Sequence, residues 1–299
     1  MTLSLARSGE LRRLLADLVG GGEWRLRSMT LGRGDRDKVI AERDGQRYFV
    51  KLMWPPGADA TRAAAEVGLA PRVIASGQLA DGRAVVVQPF VTGSSGAEPR
   101  VRAWMRSHAD DLAELFASLA RRTDLSVSLP VRQSAYPRER AEVRLRDMHL
   151  VADELERSGW PDLGRAQVML QRIREASDDL PDVPHALVPV HGDPQWANWM
   201  LTTDNQLCLV DWDHARLDDP VTDPARLAWW LFEAGRRRHT FIERCGIDVE
   251  NSVTWQRAEW SVTAYIGHTA LWVARQGRLA RASEFLHWCE QLLDDGLIS

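Results

Sequence analysis

The spacing of apolar and polar residues changes twice along the chain. Residues 8–22 carry leucines at helical spacing behind Ser8, a helix-capping residue type, and three glycines end the segment, which predicts a helix. From residue 23 to residue 91 the pattern is mostly alternating and β-rich. After the Gly93–Gly96 segment the apolar residues recur with the period of an α-helix.

The β-rich part predicts three strands, one helix and two further strands. The Asp44-Gly45 pair is a strong signal for a two-residue hairpin, and Asp81-Gly82 joins the last two strands. The predicted strands are 23–31, 38–43, 46–53, 72–78 and 83–91, and the predicted helix is 59–70.

The remainder of the chain predicts a mostly helical region with one β insert. Helices are predicted at 109–122, 135–158 and 163–177, β structure at 187–213, and helices again from 222 onwards. The pattern therefore indicates an α+β protein with two domains, residues 1–91 and residues 92–299.

Composition narrows the class of protein. Hydrophobic residues make up 44% of the 299 residues and the net charge is −4, so nothing favours a nucleic-acid or membrane-surface partner. No apolar run approaches about 18 residues, so no membrane span is predicted. The N-terminus lacks the pattern of a signal peptide, and three widely spaced cysteines fit neither a disulfide framework nor a metal site. A cytoplasmic protein is the prediction, and its oligomeric state is left open.

Lysine is rare in this chain, and its placement is informative. Of the 38 basic residues only Lys38 and Lys51 are lysines, and Lys51 lies inside the apolar run 48–54. One interpretation is an edge strand, where a lysine discourages pairing with other chains. The other is a strand-centre lysine that reaches phosphate oxygens as a compact charge, a task for which a planar guanidinium is poorly suited.

Residues 188–215 hold the densest set of candidate chemistry. Asp193 follows His191-Gly192, Asn198 comes five positions later, and Asp211 ends a short apolar run thirteen positions after Asn198. Phosphoryl transfer needs a carboxylate for the attacking hydroxyl, oxygen ligands for Mg²⁺ and a cation on the phosphates. An aspartate with an asparagine five positions later is also the spacing of the protein-kinase catalytic loop. Each residue alone could be an ordinary turn or capping residue, so the inference depends on their combination.

These motifs resemble the aminoglycoside phosphotransferase and choline kinase family. The resemblance is carried by His191-Gly192-Asp193-x4-Asn198, by Val210-Asp211-Trp212-Asp213 and by Asp219-Pro220-x2-Asp223. It implies a bilobal, protein-kinase-like fold with a small antiparallel sheet plus one helix and a larger helical lobe. It also implies ATP and Mg²⁺ as cofactors.

The resemblance implies a role for each matching position. Asp193 would be the catalytic base, Asn198 and Asp211 would bind Mg²⁺, and Lys51 would hold the α- and β-phosphates. The supporting and nucleotide-contacting set would be Glu66 as the partner of Lys51, Gly32 and Gly34 over the phosphates, Gln88, Phe90 and Val91 at the adenine hinge, Asp213 beside the metal, and His191 and Asp223 bracing the loop.

The acceptor is less well defined. Many family members carry His-Pro-Gly before the asparagine, whereas this chain has Gln195-Trp196-Ala197, a change that could reshape the acceptor pocket. A cationic amino sugar would need acids, for which Asp218, Glu233, Glu243 and Glu259 are candidates. A quaternary ammonium would need an aromatic box, for which Trp229, Trp230, Trp260 and Trp272 are candidates, although core packing explains these tryptophans as well.

Three functions follow from this set. The favoured one is a small-molecule kinase for an aminoglycoside or amino sugar; the second is a kinase for choline, ethanolamine or a thiamine-like alcohol. The third is a pseudokinase, against which the presence of Lys51, Asp193, Asn198 and Asp211 argues. A protein kinase is disfavoured because Asp-Trp-Asp stands where Asp-Phe-Gly would be.

Overall fold

A computed structural model describes residues 5–29, 38–122, 129, 134–157 and 159–297. The chain forms two compact units that are discontinuous in sequence. The first unit comprises residues 1–104, 121–130 and 191–216, and the second comprises residues 105–120, 131–190 and 217–299. The predicted single boundary after residue 91 stays a prediction.

The first unit is built on a five-stranded antiparallel sheet. The strands follow the order β1-β2-β3-β5-β4, so β3 lies at the centre, with neighbours paired on both sides. Their bounds are β1 Arg25–Ser28, β2 Lys38–Arg43, β3 Gln46–Met53, β4 Ala75–Gln78 and β5 Ala84–Pro89. The central position of β3 removes the edge-strand interpretation of Lys51, whose side chain is almost fully buried.

One face of this sheet packs against the first helix. Helix α1 runs Leu5–Val19 and buries Leu11 and Leu15 against inward-facing residues of the strands, such as Val50 and Val87. Alternation along each strand places these side chains on one face. The burial of this apolar surface holds the sheet together.

Helix α2 begins earlier than predicted. It runs Pro55–Glu66 instead of 59–70, because Pro55 and Pro56 occupy the first turn, where their fixed φ suits a helix and a missing N–H costs nothing. The helix ends before Gly68, which has φ +79°. Glycine adopts this left-handed conformation without strain, which makes it a common terminator.

A small three-stranded sheet completes the first unit. Its strands are β6 Gly93–Ser95, β8 Trp199–Thr202 and β9 Leu207–Leu209, in the order β6-β8-β9. The glycine- and serine-rich segment predicted as a boundary is therefore partly a strand. Gly93 is required there, because an added Cβ would come within 2.1 Å of the Leu201 carbonyl oxygen.

The second unit is mainly helical. Helices α5, α6 and α9 pack together, and α10 packs along α9. The helices of this part of the chain are α4 Ala109–Ala120, α5 Pro137–Glu156, α6 Leu163–Asp178, α7 Thr222–Leu231, α8 Gly235–Arg244, α9 Ser252–Arg275 and α10 Leu279–Asp295. Strands β7 Val188–Val190 and β10 Arg216–Asp218 pair, and helix α3 runs Pro99–Ser107.

These elements confirm the predicted α+β class, with an antiparallel sheet and a helix in the N-terminal part and helices dominating thereafter. Within the described residues, no helix has both the length and the apolar character that a membrane crossing requires.

Candidate active site

A β-hairpin brings the two predicted metal ligands to the same end of a sheet. Strands β8 and β9 pair with Trp199 opposite Leu209, and the Val210 N–H donates to the Asn198 carbonyl at 2.8 Å. Asn198 and Asp211 therefore flank the same end of this ladder. The twelve residues between them are the length that two short strands and a turn require.

The turn before this hairpin is held by His191. Its Nε2 lies 3.0 Å from the Val210 carbonyl oxygen, and its Nδ1 accepts from the Asp193 N–H at 3.2 Å, so Nε2 carries the proton. His191 is completely buried and packs edge-on against Trp212 at 4.6 Å. Gly192 has φ +85°, and an added Cβ would meet the His214 carbonyl oxygen at 2.6 Å, so the turn requires glycine.

Two amide side chains orient the carboxylate of Asp193. The Asn198 Nδ2 donates to Asp193 Oδ2 at 3.0 Å and to the Asp193 carbonyl at 2.7 Å. The Gln195 Nε2 donates to the same Oδ2 at 2.9 Å. Gln195 was singled out only as a departure from the family pattern, and sequence reasoning missed this contact. Its position two residues after Asp193 was the available signal, because a side chain that close can fold back onto the carboxylate.

Both lysines of the chain form ion pairs with the carboxylate of Asp211. Lys51 Nζ pairs with Asp211 Oδ1 and lies 2.9 Å from Asp213 Oδ2. Lys38 Nζ lies 3.0 Å from Asp211 Oδ2. Lys38 and Lys51 are directly opposite each other in the register of β2 and β3, so the pair of cations is built by the strand pairing.

Asp211 is held as an anion in an unusual backbone conformation. Its φ of 72° and ψ of 57° are left-handed, which aspartate tolerates better than most residues. Burial by itself would raise the pKa of this carboxyl, but the charges of Lys51 and Lys38 outweigh burial and hold the pKa well below its usual range. Asp211 therefore remains charged and able to take a cation.

Sequence reasoning missed Lys38 as part of the site. The signal existed, because Lys38 is the only lysine besides Lys51 in an arginine-rich chain. Its role depended on the β2–β3 register, which places residue 38 across from residue 51.

The predicted partner of Lys51 is wrong. Glu66 ends α2 with a largely exposed side chain and accepts from Arg122 Nη2 at 2.8 Å. Lys51 instead pairs with Asp211 and Asp213. The helix ends before Gly68, so Glu66 lies on its last turn.

The hinge residues differ in what they can offer a nucleotide. The Gln88 side chain is buried and donates to the Pro71 carbonyl at 2.6 Å, and the Phe90 N–H donates to the Arg47 carbonyl at 3.1 Å. Within the described ranges, the Val91 N–H makes no backbone hydrogen bond. Gly32 and Gly34 lie outside the described residues. Asp223 lies in the second unit, buried in the first turn of α7.

Of the candidate acceptor residues, Asp218 and Trp260 line one pocket in the second unit, and its lining includes none of the other candidates. Trp230 packs against Phe285 and Trp288, whereas Arg238 lies 4.4 Å over Trp229. The acids are likewise scattered: Asp218 is buried against Arg140, the Glu259 carboxylate accepts from the Leu297 N–H, and Glu233 and Glu243 are exposed.

The donor set near Asp211 fits a hard divalent cation. Asn198 uses its amide nitrogen on Asp193, which leaves its oxygen as the atom available to a cation. Carboxylate and amide oxygens, few in number, are what Mg²⁺ uses when phosphates and waters complete its coordination. Three or more His, Cys, Asp or Glu side chains do not cluster as a metal site anywhere in the described residues.

The first unit combines a five-stranded antiparallel sheet that has a buried central lysine with the β8–β9 hairpin, which has Asp193 and Asn198 before it and Asp211 after it. This is the arrangement that the sequence predicts for phosphoryl transfer. A family model described as "APH: Phosphotransferase enzyme family" matches residues 32–260. The chain belongs to this phosphotransferase family.

Solved structures share the fold. A thermostable mutant of aminoglycoside phosphotransferase APH(4)-Ia, in complex with AMP-PNP and hygromycin B, is 14% identical with TM-score 0.65, over 96% of this chain and 99% of that one. Spectinomycin phosphotransferase APH(9)-Ia, with ADP and spectinomycin, is 14% identical with TM-score 0.59, over 97% and 96%. Choline kinase LicA from Streptococcus pneumoniae is 14% identical with TM-score 0.58, over 94% and 98%. The family model thus makes the protein a phosphotransferase, and the solved structures show the fold that it shares with them.

Proposed function

We propose that this enzyme transfers the γ-phosphoryl group of ATP to a hydroxyl of an amine-bearing small molecule, with an aminoglycoside or amino sugar as the first candidate. One observation carries the chemistry: the Asp193 carboxylate, oriented by Asn198 and Gln195, belongs to the same compact unit as Asp211 with its two lysines. The acceptor class is supported by the structurally similar enzymes bound to hygromycin B and spectinomycin.

Each residue has a task in this proposal. Asp193 accepts the proton of the attacking hydroxyl as the new bond to the γ-phosphorus forms and the bond to the departing ADP oxygen breaks. Lys51 and Lys38 offset the charge of the phosphates. Asn198 and Asp211 would hold Mg²⁺, which offsets the negative charge that accumulates on the phosphate oxygens. The Val91 N–H is the hinge donor left for the adenine.

The second candidate acceptor is choline, ethanolamine or a thiamine-like alcohol. The similarity to choline kinase LicA favours it. An assay distinguishes the two candidates directly, because it shows which class of alcohol causes ADP release.

The test is ADP release from Mg-ATP against aminoglycosides, amino sugars, choline, ethanolamine and thiamine. Asp193→Ala should abolish turnover and spare nucleotide binding, whereas Asp204→Ala, an exposed aspartate in the β8–β9 turn, is the matched control and should keep full activity. Turnover by Asp193→Ala at the wild-type rate would show that Asp193 is not the base. If the wild-type protein neither binds Mg-ATP nor is stabilised by it, the nucleotide assignment is contradicted.

A further inference from the structure

The second unit contains a pocket whose lining is rich in arginine. It lies among α5, β10, α7 and α9 and is open to solvent, and the empty space of about 400 Å³ measured there includes part of that solvent. Its charged lining residues are Arg140, Arg144, Arg226, Arg257, Asp218 and Asp219. Four guanidinium groups thus face two carboxylates.

Both carboxylates are already engaged. Asp219 Oδ2 lies 2.8 Å from Arg140 Nη2, 3.1 Å from His185 Nε2 and 3.1 Å from Arg257 Nε. Asp218 Oδ1 accepts from Arg140 Nη1 at 3.1 Å and from the Asp219 N–H at 2.8 Å. Burial would raise the pKa of Asp219, but these cations lower it to about 2, so the carboxylate stays charged. An amine entering the pocket would have to compete with arginine for these acids.

Two donors on α9 remain without an acceptor. Arg257 and Trp260 are three residues apart, so they lie on the same face of the helix. In the part of the chain that the structure describes, the buried Trp260 Nε1 and Arg257 Nε have no hydrogen-bond acceptor; the Arg257 contact with Asp219 is an ion pair without hydrogen-bond geometry. A buried donor of this kind loses its hydrogen bond to water without gaining another, which costs free energy.

The charge balance points the same way. Four of the lining residues are arginines and two are aspartates. Largely buried charge of one sign is costly unless a counter-charge accompanies it.

We propose that this pocket binds an oxyanion, the carboxylate or phosphate group of a small molecule, through the Arg257 guanidinium and the Trp260 N–H. Guanidinium groups bind planar or tetrahedral oxyanions through paired N–H donors, and an indole N–H adds one directed bond. The oxyanion is either part of the phosphoryl acceptor or a separate small anion. The site itself does not depend on the proposed kinase reaction.

The test is calorimetric titration with inorganic phosphate and with acetate at constant ionic strength. A Lys51→Gln background removes a competing phosphate ligand from the proposed nucleotide site. Arg257→Gln should weaken binding about tenfold or more, and Trp260→Phe, which removes only the N–H donor and some volume, should weaken it several-fold. Arg146→Gln on the exposed face of α5 and Trp255→Phe on α9 are matched controls and should bind as the parent does.

Arg257→Lys guards against a folding defect, because it keeps the charge beside Asp219. It should retain more affinity than Arg257→Gln, and circular dichroism should show all variants folded. No binding of either anion at millimolar concentration to the folded protein would overturn the proposal. Equal affinity in the parent, Arg257→Gln and Trp260→Phe would also overturn it, because the anion would then bind elsewhere.

A kinetic arm separates the two sources of the oxyanion. If it belongs to the acceptor, phosphate competes with the acceptor, and Arg257→Gln raises the acceptor KM with little change in kcat. If it is a separate anion, phosphate alters the rate without competing. Absence of any turnover would count against the proposed function alone, because the titrations measure anion binding directly.

Discussion

Replacing Lys38 with glutamine tests whether the phosphate site uses two lysines. Lys38 Nζ lies 3.0 Å from Asp211 Oδ2 and directly across the strands from Lys51. At that distance two unit charges interact by about 5 to 6 kcal/mol for an effective dielectric constant of about 20, before desolvation is subtracted. Measured net values for hydrogen bonds to charged groups are about 1.5 to 3 kcal/mol.

The nucleotide should lose this interaction in the variant. A phosphate oxygen that takes the place of Asp211 beside Lys38 would gain a similar net energy, so Lys38→Gln should weaken Mg-nucleotide binding by about tenfold to a hundredfold. In the absence of nucleotide the loss of the Asp211 contact is partly offset, because the repulsion between Lys38 and Lys51 disappears. The unfolding free energy should therefore change much less than the nucleotide affinity does.

The assay is calorimetric titration of a non-hydrolysable ATP analogue with Mg²⁺ at two salt concentrations. Arg25→Gln, an exposed basic residue on β1, is the matched control and should leave the affinity unchanged. The Lys38→Gln protein should also show a weaker salt dependence, because one charge contact is gone. A dissociation constant within twofold of wild type, with the same salt dependence, would refute the assignment and leave Lys38 as a partner of Asp211 alone.

Three further substitutions test the site and its support. Lys51→Arg should lower kcat/KM by about tenfold or more, because a planar guanidinium cannot keep the contacts of a compact ammonium with Asp211 and Asp213; unchanged steady-state kinetics would contradict this. Gln195→Leu should lower kcat by about tenfold through the lost hydrogen bond to Asp193, with the KM for ATP unaffected; a change confined to KM would show that Gln195 acts on binding. The third substitution, Asp219→Asn, tests a pH dependence: the pKa of Asp219 is lowered from its usual 3.8 to about 2 in the folded protein. The charged carboxylate therefore stabilises the folded state above about pH 4, and about 2 kcal/mol of this stabilisation is lost as the pH falls towards 2. Urea titrations across this range should show a smaller acid-dependent loss in Asp219→Asn, and identical pH profiles would refute the assignment.

Local signals predicted most of the sheet. The β2–β3 hairpin has the predicted bounds, 38–43 and 46–53, because the Asp44-Gly45 turn and the alternation on both sides of it are properties of neighbouring residues. The bounds of α2 were predicted less well, because the alanine-rich stretch was given more weight than the proline pair that starts the helix.

Three residues of the proposed reaction could also be predicted from local signals. Asp193, Asn198 and Asp211 could be predicted together because they lie within one short segment, where spacing along the chain restricts spacing in the fold. The pairing of β8 with β9 brings the two ends of this segment to the same end of the hairpin. Their catalytic and metal-binding roles remain predictions.

By itself, the sequence determined the class of fold, and it predicted the segment proposed to carry the chemistry and a special role for Lys51, because periodicity, turn residues and motif spacing are local. Only the tertiary structure decided which charges meet. Lys51 and Lys38 pair with Asp211 because of strand register, Glu66 pairs with Arg122 instead, and residues far apart in sequence form the arginine-rich pocket. The physical reason is that the energy of a charge depends on distance and burial, both of which are set by packing between segments that the sequence keeps apart.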